Sequence, residues 1–274
     1  MQFSIHRFER VTSTNTIALQ FAEKGAPEGT VIIAREQTAG RGRFGRNWVS
    51  PLDSGLYLTI VFRPKRSFEE LWQLAFVCSL AVAETIECVS GLTPGLKWPN
   101  DVMLNGRKVC GLLVEIGKAV VISEQGIKDS QENANSAHTA VAIPDSKIPV
   151  VVGIGINVNN TEFPEELANQ ATSLALEAGK RFDLHKVEQS LLGAIEAKYV
   201  QYGQEGFPPI LTAWREYDIT IGSRVAVHMP GKVIEGTAVE IDGEGNLVVR
   251  RLDGTLTKLL AGDVNIEFSQ RRRL

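Results

Sequence analysis

Residues 97–115 read KWPNDVMLNGRKVCGLLVE, and this pattern predicts a β-hairpin. Asn105-Gly106 is a strong signal for a two-residue hairpin turn, because both positions of such a turn need a positive φ. Strand-like segments flank the turn at residues 95–104 and 107–116. The predicted hairpin therefore places these two segments on adjacent strands.

Further strands and helices are predicted on both sides of this hairpin. Runs of β-branched and apolar residues predict buried strands at residues 30–34, 55–62 and 150–157. Capping residues, stop signals and apolar patterns predict helices at residues 17–25, 71–89, 183–202 and 210–217.

The predicted secondary structure changes after Asp218, from long helices and strands to short strands. Short strands separated by glycine-containing turns are predicted at residues 224–228, 232–241, 246–251 and 255–260. Such a pattern is typical of a small β-barrel of about fifty residues.

The composition limits the classes of function. The 274 residues carry a formal net charge of -3, so no global positive field indicates a nucleic-acid partner. No apolar run is long enough and free enough of charge to predict a membrane span. Residues 1–10 lack the apolar core of a signal peptide. We therefore expect a cytoplasmic protein with no membrane partner.

The cysteine and histidine patterns argue against disulfide bonds and a zinc site. Cys78, Cys88 and Cys110 form no CxxC pair, and buried free thiols in a reducing compartment are expected. The four histidines show none of the close spacings typical of histidine-based zinc sites.

Residues 40–48 read GRGRFGRNW and predict an anion-binding loop. Its arginines, Arg41, Arg43 and Arg46, have forked donors that bind phosphate and carboxylate oxygens bidentately. Its glycines let the backbone turn freely and approach a ligand closely, and Trp48 can supply an aromatic wall. A solvated basic turn is the alternative, but the interleaving of three arginines with three glycines favours a binding loop.

Residues 40–45 also match the pattern GxGxxG, but the surrounding sequence does not match the known nucleotide-binding motifs that contain it. A dinucleotide fingerprint needs a helix directly after the loop, whereas Ser50-Pro51 and another strand follow here. The VAIK, HRD and DFG signatures of a protein kinase are missing from the sequence, and so is the GxxxxGK[ST] pattern of a P-loop.

Two other segments carry candidate residues. Lys97 and Lys108 are expected on adjacent strands, although a lone lysine on a strand is usually solvated. Gly153 and Gly155 lie inside a predicted buried strand. Glycine at such a place marks the close approach of a ligand or of another part of the backbone, and spacing alone leaves both open.

Taken in order, these segments resemble the biotin–protein ligase family. That family carries Ser-Thr-Asn near the start of its catalytic domain, followed by GRGRxGRxW, KWPND, RKxxGxLxE and GxGxN. The matching segments here are residues 13–15, 40–48, 97–101, 107–115 and 153–157. The ordered set is more specific than any one motif, and it spans nearly the whole chain.

The resemblance implies an α+β fold with two domains. Residues 1–218 are expected to form a catalytic domain of the biotin/lipoyl ligase type, a mixed β-sheet with helices packed on one side. Residues 219–274 are expected to form a small SH3-like β-barrel domain.

The resemblance also implies an ATP-dependent reaction in two steps. First, the biotin carboxylate attacks the α-phosphate of Mg-ATP, which gives biotinyl-5′-adenylate and pyrophosphate. Second, the amine of a carrier lysine attacks the mixed anhydride, which gives an amide and AMP. The expected acceptor is the biotin carboxyl carrier domain of acetyl-CoA carboxylase, and Mg²⁺ is the expected cofactor.

Matching position in the motifs then implies roles for single residues. Lys108 and Arg43 are expected to be catalytic, Lys108 by holding the biotin carboxylate and stabilising charge at the carboxyl–phosphate bridge. The expected biotin-binding residues are Ser13, Thr14, Asn15, Gln37, Gly40, Arg41, Trp48, Lys108, Gly111 and Gly153. The expected ATP- or adenylate-binding residues are Arg41, Arg43, Arg46, Trp48, Lys97, Asn100 and Asn157. Asp101 is the candidate ligand for Mg²⁺.

Three features depart from the family pattern. Ser13 begins the catalytic segment almost at once, so we expect a ligase without the N-terminal DNA-binding module that makes some relatives repressors. Phe44 stands where some relatives have another arginine. The polar segment at residues 118–147 is longer than expected between two strands, and its role stays open.

Two alternative functions stay open at this point. Relatives that use lipoate or octanoate lack the GRGRxGR loop as spelled here, so that loop favours biotin. A nucleic-acid-binding protein that uses the basic loop, the small barrel and Arg271–Arg273 is disfavoured by the net charge. The sequence is compatible with a monomer or a homodimer.

The glycine-rich loop predicts a conformational change on binding. Closure of the loop over biotin and ATP would keep water away from the mixed anhydride. We therefore expect tryptic cleavage after Arg43 and Arg46 to slow when both ligands are added. Equal cleavage rates with and without ligands, measured by mass spectrometry, would contradict loop closure.

Overall fold

The computed structural model describes residues 1–117 and 148–267 of the chain. Its larger sheet has seven strands in the order β1-β2-β3-β7-β6-β5-β4. The strands are β1 (Ser4–Val11), β2 (Thr30–Gln37), β3 (Gly55–Phe62), β4 (Gly95–Lys97), β5 (Asp101–Leu104), β6 (Arg107–Ile116) and β7 (Val150–Asn157). β1 and β2 are parallel and the other neighbours are antiparallel, so the sheet is mixed as predicted.

Helices cover this sheet unequally. They are α1 (Thr14–Glu23), α2 (Leu74–Ser90), α3 (Leu174–Ala178), α4 (Leu184–Glu205) and α5 (Phe207–Glu216). α2 and α4 pack together on one face of the sheet, against which Leu58 and Ile60 of β3 are buried. The short α1 packs on the opposite face, where Ala18 and Ala22 meet Val61. The expected layer of helices on one side of the sheet is therefore present. α1 is an additional helix on the opposite face.

α2 is the central helix of the core. Together with the preceding 3₁₀ turn, Phe68–Gln73, it is the one helical stretch in the described residues that is long and apolar enough to cross a bilayer. Leu74, Leu80 and Ile86 are fully buried between the sheet and the neighbouring helices. Burial of this kind is the ordinary environment of a core helix.

The second sheet is antiparallel and has five strands. They are β8 (Arg224–Met229), β9 (Lys232–Ile241), β10 (Leu247–Arg250), β11 (Leu256–Leu259) and β12 (Asp263–Glu267), in the order β11-β10-β9-β8-β12. This arrangement is consistent with an SH3-like domain. The end strands β11 and β12 are not paired within the described residues, so the sheet does not close into the predicted barrel.

The two sheets share one apolar core. The Trp98 indole N–H donates to the carbonyl of Gly245 at 2.9 Å, and the Trp98 backbone N–H donates to Thr220 Oγ1 at 2.9 Å. Phe76 of α2 packs edge-to-face on Phe207 of α5, beside the same junction. The boundary predicted at residue 218 stays a prediction.

Some sequence-based predictions of elements were wrong. Residues 95–104 form two strands instead of one, because the chain turns back at residues 98–100 and pairs Lys97 with Asp101. Lys97 and Lys108 therefore lie two strands apart. The helix predicted from residue 71 becomes α-helical only at Leu74.

The last helix of the larger unit begins earlier than predicted. α5 starts at Phe207 because Pro208 and Pro209 occupy the first helical turn, where no backbone N–H is needed. The sequence analysis also missed β1, α3 and β12. The polar segment at residues 118–147 and the Arg271–Arg273 tail lie outside the described residues. Cys78 and Cys110 are buried free thiols, as predicted, whereas Cys88 is free but exposed, so its predicted burial was wrong.

The buried position of α2 predicts a large effect of truncation. Leu80→Ala should lower the free energy of unfolding by about 2–5 kcal/mol, because the side chain is fully buried. Leu252→Ala is the matched control, since Leu252 is 81% exposed and should change stability by less than about 0.5 kcal/mol. Urea denaturation measures both, and similar losses in the two variants would overturn this description of the core.

Candidate active site

A cavity of about 530 Å³ opens on the face of the large sheet that carries α1. Nearly every residue predicted for the site lines it. They are Ser13, Thr14, Asn15, Gln37, Arg41, Arg43, Arg46, Trp48, Lys97, Asn100, Asp101, Lys108, Gly111, Gly153 and Asn157. The structure thus gathers motifs from distant parts of the chain around one space.

The floor of this cavity consists of glycines on two neighbouring strands. Gly111 of β6 lies opposite Gly155 of β7, and Gly153 lies two residues away on the same face. A Cβ atom on Gly155 would lie 2.4 Å from Trp48 Nε1, and one on Gly153 would lie 1.9 Å from Asn15 Oδ1. Glycine is needed here because two side chains from elsewhere lie flat against the strands.

A buried carboxylate joins the two lysines of the site. Asp101 accepts from Lys108 Nζ at 2.5 Å and from Lys97 Nζ at 3.0 Å. Burial by itself raises the pKa of Asp101, but the two ammonium groups outweigh it and hold the pKa at about 2. Lys108 Nζ also lies 5.5 Å from the centre of the Trp48 ring, a cation–π distance.

The arginine loop, residues 40–48, is held in a tight turn. The Gly42 N–H donates to the carbonyl of Arg46 at 2.7 Å, and Phe44 and Gly45 both adopt positive φ values. Gly40 does not line the cavity. It accepts from the Trp48 N–H at 2.9 Å, and a Cβ there would meet the Trp48 carbonyl, so its glycine is required by the loop itself.

The arginines of this loop point to different partners. Arg43 donates to Asn100 Oδ1 at 2.9 Å and to the carbonyl of Gly262 at 3.0 Å. Burial lowers the pKa of the Arg43 guanidinium, and the nearby carboxylates of Asp101 and Asp263 oppose that effect. Arg46 forms an ion pair of 2.9 Å with Asp263.

The cavity is electrostatically positive. Five cationic side chains line it, against the two carboxylates of Asp101 and Asp263. Asp101 is already bound by two lysines, and Asp263 by Arg46. The arrangement is therefore suited to an anion with several charges.

The Ser13–Asn15 end of the cavity is a hydrogen-bonded cluster. Gln37 Oε1 accepts from the backbone N–H of Thr14 at 2.8 Å and from its hydroxyl at 3.1 Å. Gln37 Nε2 donates to Ser50 Oγ at 2.8 Å. Ser13 is the N-cap of α1 and lines the cavity. These polar groups are held in place before any ligand arrives.

Two predicted asparagines have structural partners of their own. Asn100 Nδ2 donates to the carbonyl of Leu112, and its Oδ1 accepts from Arg43. Asn157 Nδ2 donates to the carbonyl of Thr172 at 3.0 Å. Both side chains line the cavity while they fix neighbouring backbone.

Sequence analysis missed two parts of the wall. One lies between β7 and α3 and comprises Phe163, Leu167, Asn169, Gln170 and Ala171. Its backbone holds Lys108 on both sides, because Lys108 N donates to Gln170 O and Lys108 O accepts from Thr172 N. The other is β12, which contributes Asp263, Val264, Asn265 and Ile266. Neither segment has a sequence motif or a periodic pattern that would have identified it as part of the site.

The prediction of Asp101 as a magnesium ligand does not fit this geometry. Both of its oxygens face lysine ammonium groups. The described residues contain no group of three acidic, histidine or cysteine side chains that could hold a metal ion.

Comparison with known proteins agrees with the motifs. Residues 7–127 match the model of the biotin/lipoate A/B protein ligase family, and residues 220–266 match that of the biotin protein ligase C-terminal domain. The Mycobacterium tuberculosis biotin–[acetyl-CoA-carboxylase] ligase is 33% identical over 258 residues, covering 92% of this chain and 85% of that protein. The chain belongs to the biotin protein ligase family.

Other members extend the similarity to the whole described fold. The bifunctional ligase/repressor BirA of Bacillus subtilis is 33% identical and is matched over 72% of its length by 93% of this chain. The biotin protein ligase of Aquifex aeolicus, solved in complex with biotin and ATP, superposes with a TM-score of 0.77 at 29% identity. That superposition covers 97% of this chain and 99% of the other.

The contact between Gly155 and Trp48 predicts a coupled effect on stability. Gly155→Ala should cost about 1–3 kcal/mol, because the new methyl group collides with the indole ring. In a Trp48→Ala background the same substitution should cost much less. Thermal denaturation of the four proteins of this cycle measures the coupling.

A helical glycine with open space provides the control. Gly203→Ala in α4 meets nothing within 4 Å and should stabilise the protein by roughly 0.5–1 kcal/mol. Equal costs of Gly155→Ala with and without Trp48 would show that the indole ring does not occupy this place.

Proposed function

We propose that this chain binds biotin and ATP in the cavity, forms biotinyl-5′-adenylate and transfers biotin to a lysine of a carrier domain. The observation that supports this most directly is the arrangement of Lys108 and Arg43 around one cationic cavity that has a glycine floor. The solved complex of the Aquifex aeolicus relative with biotin and ATP supports the choice of ligands.

The first step requires two anions to approach each other. The biotin carboxylate attacks the α-phosphorus of Mg-ATP, a new C–O–P bridge forms, and the bond to pyrophosphate breaks. The excess of cationic side chains offsets the repulsion between the reactants and stabilises charge in the transition state. Arg43 and Arg46 suit the phosphates, and Mg²⁺ arrives bound to the ATP oxygens.

We propose that Lys108 binds the biotin carboxylate. Asp101 and the Trp48 ring hold its ammonium group from two sides, and the backbone of the Gln170 segment holds its main chain. Asp101, with a pKa of about 2, is ionised at neutral pH and keeps the ammonium group oriented. Lys108 then acts by charge and hydrogen bonding, and no covalent bond to it is needed.

Biotin itself requires an apolar slot with a few polar groups at one end. The Trp48 ring, which lies against the glycine floor, provides an apolar surface, and the cluster around Thr14 and Gln37 provides polar groups for the urea ring. The Trp48 Nε1 is buried against Gly155 and has no acceptor among the described residues.

The second step needs a nucleophile from another protein. The amine of the carrier lysine attacks the acyl carbon of the adenylate, an amide forms, and AMP leaves with the bridging oxygen. The names of the Mycobacterium tuberculosis and Paracoccus denitrificans relatives support acetyl-CoA carboxylase as the source of the carrier. The three free thiols support a reducing, cytoplasmic location.

Mass spectrometry of a carrier domain tests the proposal. An apo biotin-carrier domain incubated with the protein, biotin and Mg-ATP should gain the mass of one biotin. Lys108→Ala and Arg43→Ala should each slow this gain by about 10²–10³-fold, because each removes a positive charge at the developing anion. Lys198→Ala is the matched control, since it removes a lysine that pairs with Glu84 away from the cavity.

The outcomes separate the possible functions. No gain with biotin together with a gain with lipoate would assign the chain to a lipoate-using branch. No gain with either acid would contradict the proposal, and full activity of Lys108→Ala would contradict its site.

A further inference from the structure

Glu115 is a motif residue to which the proposed reaction gives no role. It lies near the end of β6, on the same face as Gly111, four residues along the strand. Its carboxylate does not belong to the cavity lining, and its side chain is 21% exposed. Any effect of Glu115 on the reaction must therefore pass through the residues that it contacts.

Its two oxygens bind residues from two separate motifs. Oε1 accepts from Arg41 Nη2 at 2.6 Å, and Oε2 accepts from Asn15 Nδ2 at 2.9 Å. Arg41 belongs to the arginine loop, whereas Asn15 belongs to α1. Glu115 is thus a direct bridge between the loop and the helix that enclose one end of the cavity.

This bridge fixes the orientation of the Asn15 amide. Nδ2 gives its two hydrogens to Glu115 and to the carbonyl of Leu113, and Oδ1 accepts from Thr59 Oγ1 at 2.7 Å. Because both donors are used, Asn15 has none left for a ligand. It acts as a wall held against Gly153, whose missing side chain leaves room for it.

The bridge also restrains the start of the arginine loop. Arg41 is 45% exposed, and its ion pair with Glu115 holds the guanidinium over the sheet. Arg46, at the other end of the loop, is held by a different carboxylate, that of Asp263. The two ends of the loop are therefore held by separate ion pairs, one with Glu115 and one with Asp263.

We propose that Glu115 is a positioning residue that orders Arg41 and Asn15 together and thereby shapes the biotin end of the cavity. This inference rests on the proposed function. A carboxylate is required because it offers two acceptors and no donor, whereas an amide accepts through only one atom. Loss of the charge therefore breaks one contact of the bridge.

Steady-state kinetics of Glu115→Gln tests the proposal. KM for biotin should rise about tenfold with a much smaller change in kcat, because an ordered binding wall is lost and the reacting groups remain. Glu115→Asp keeps the charge but cannot span both partners, and should fall between the glutamine variant and the wild type. A drop in kcat at unchanged KM would overturn the proposal.

The carboxylate of Glu188, on another face of the same fold, provides the matched control. Glu188 of α4 binds Arg7 through both oxygens, at 2.7 and 2.8 Å, on residues that do not line the cavity. Glu188→Gln therefore removes a comparable ion pair and should leave KM for biotin unchanged. Equal rises in KM in the two variants would mean that Glu115 acts only through general stability.

Limited trypsin digestion tests whether Glu115 holds Arg41, independently of any enzymatic activity of the protein. Trypsin must bind a free arginine side chain, so Glu115→Gln should accelerate cleavage after Arg41 and leave cleavage after Arg46 unchanged. An unchanged rate after Arg41 would contradict the bridge. If the wild type biotinylates no carrier, the proposed function fails, whereas an active wild type with an unaffected Glu115→Gln variant defeats this inference alone.

Discussion

The ion-pair triad of Asp101 with Lys97 and Lys108 is the constraint on which the site depends. A buried carboxylate is costly unless it is paired, and each lysine comes from a strand that neighbours that of Asp101. The triad therefore fastens β4, β5 and β6 together by their functional side chains. It also restrains Lys108 at one place in the cavity, since departure of its ammonium group would leave the buried Asp101 with one lysine partner instead of two.

The second sheet completes the site instead of standing apart from it. Gly262 and the first two residues of β12 bind three cations of the larger unit. Arg43 donates to Gly262 O, Lys97 donates to Val264 O, and Arg46 pairs with Asp263. An anionic ligand that enters the cavity must compete with these contacts. The position of the second sheet and the charge state of the loop are therefore physically linked.

Many strand bounds and site residues could be predicted from the sequence because they depend on local sequence patterns. The bounds of β6 and β7 follow from the Asn105-Gly106 turn and from a β-branched run, and nearly every site residue predicted from the motifs lines the cavity. Long-range contacts could not be predicted. The reversal after Lys97 leaves no periodic signal, and the Arg46–Asp263 pair joins residues that only the folded chain brings together.

We propose that one cationic cavity activates a biotin carboxylate with ATP. Pyrophosphate release in the absence of any carrier tests it most directly, because the first step is then measured alone. We predict release that depends on biotin, fails with lipoate and is strongly reduced in Lys108→Gln. Release that is independent of biotin, or that survives unchanged in Lys108→Gln, would show that this cavity does not activate biotin through Lys108.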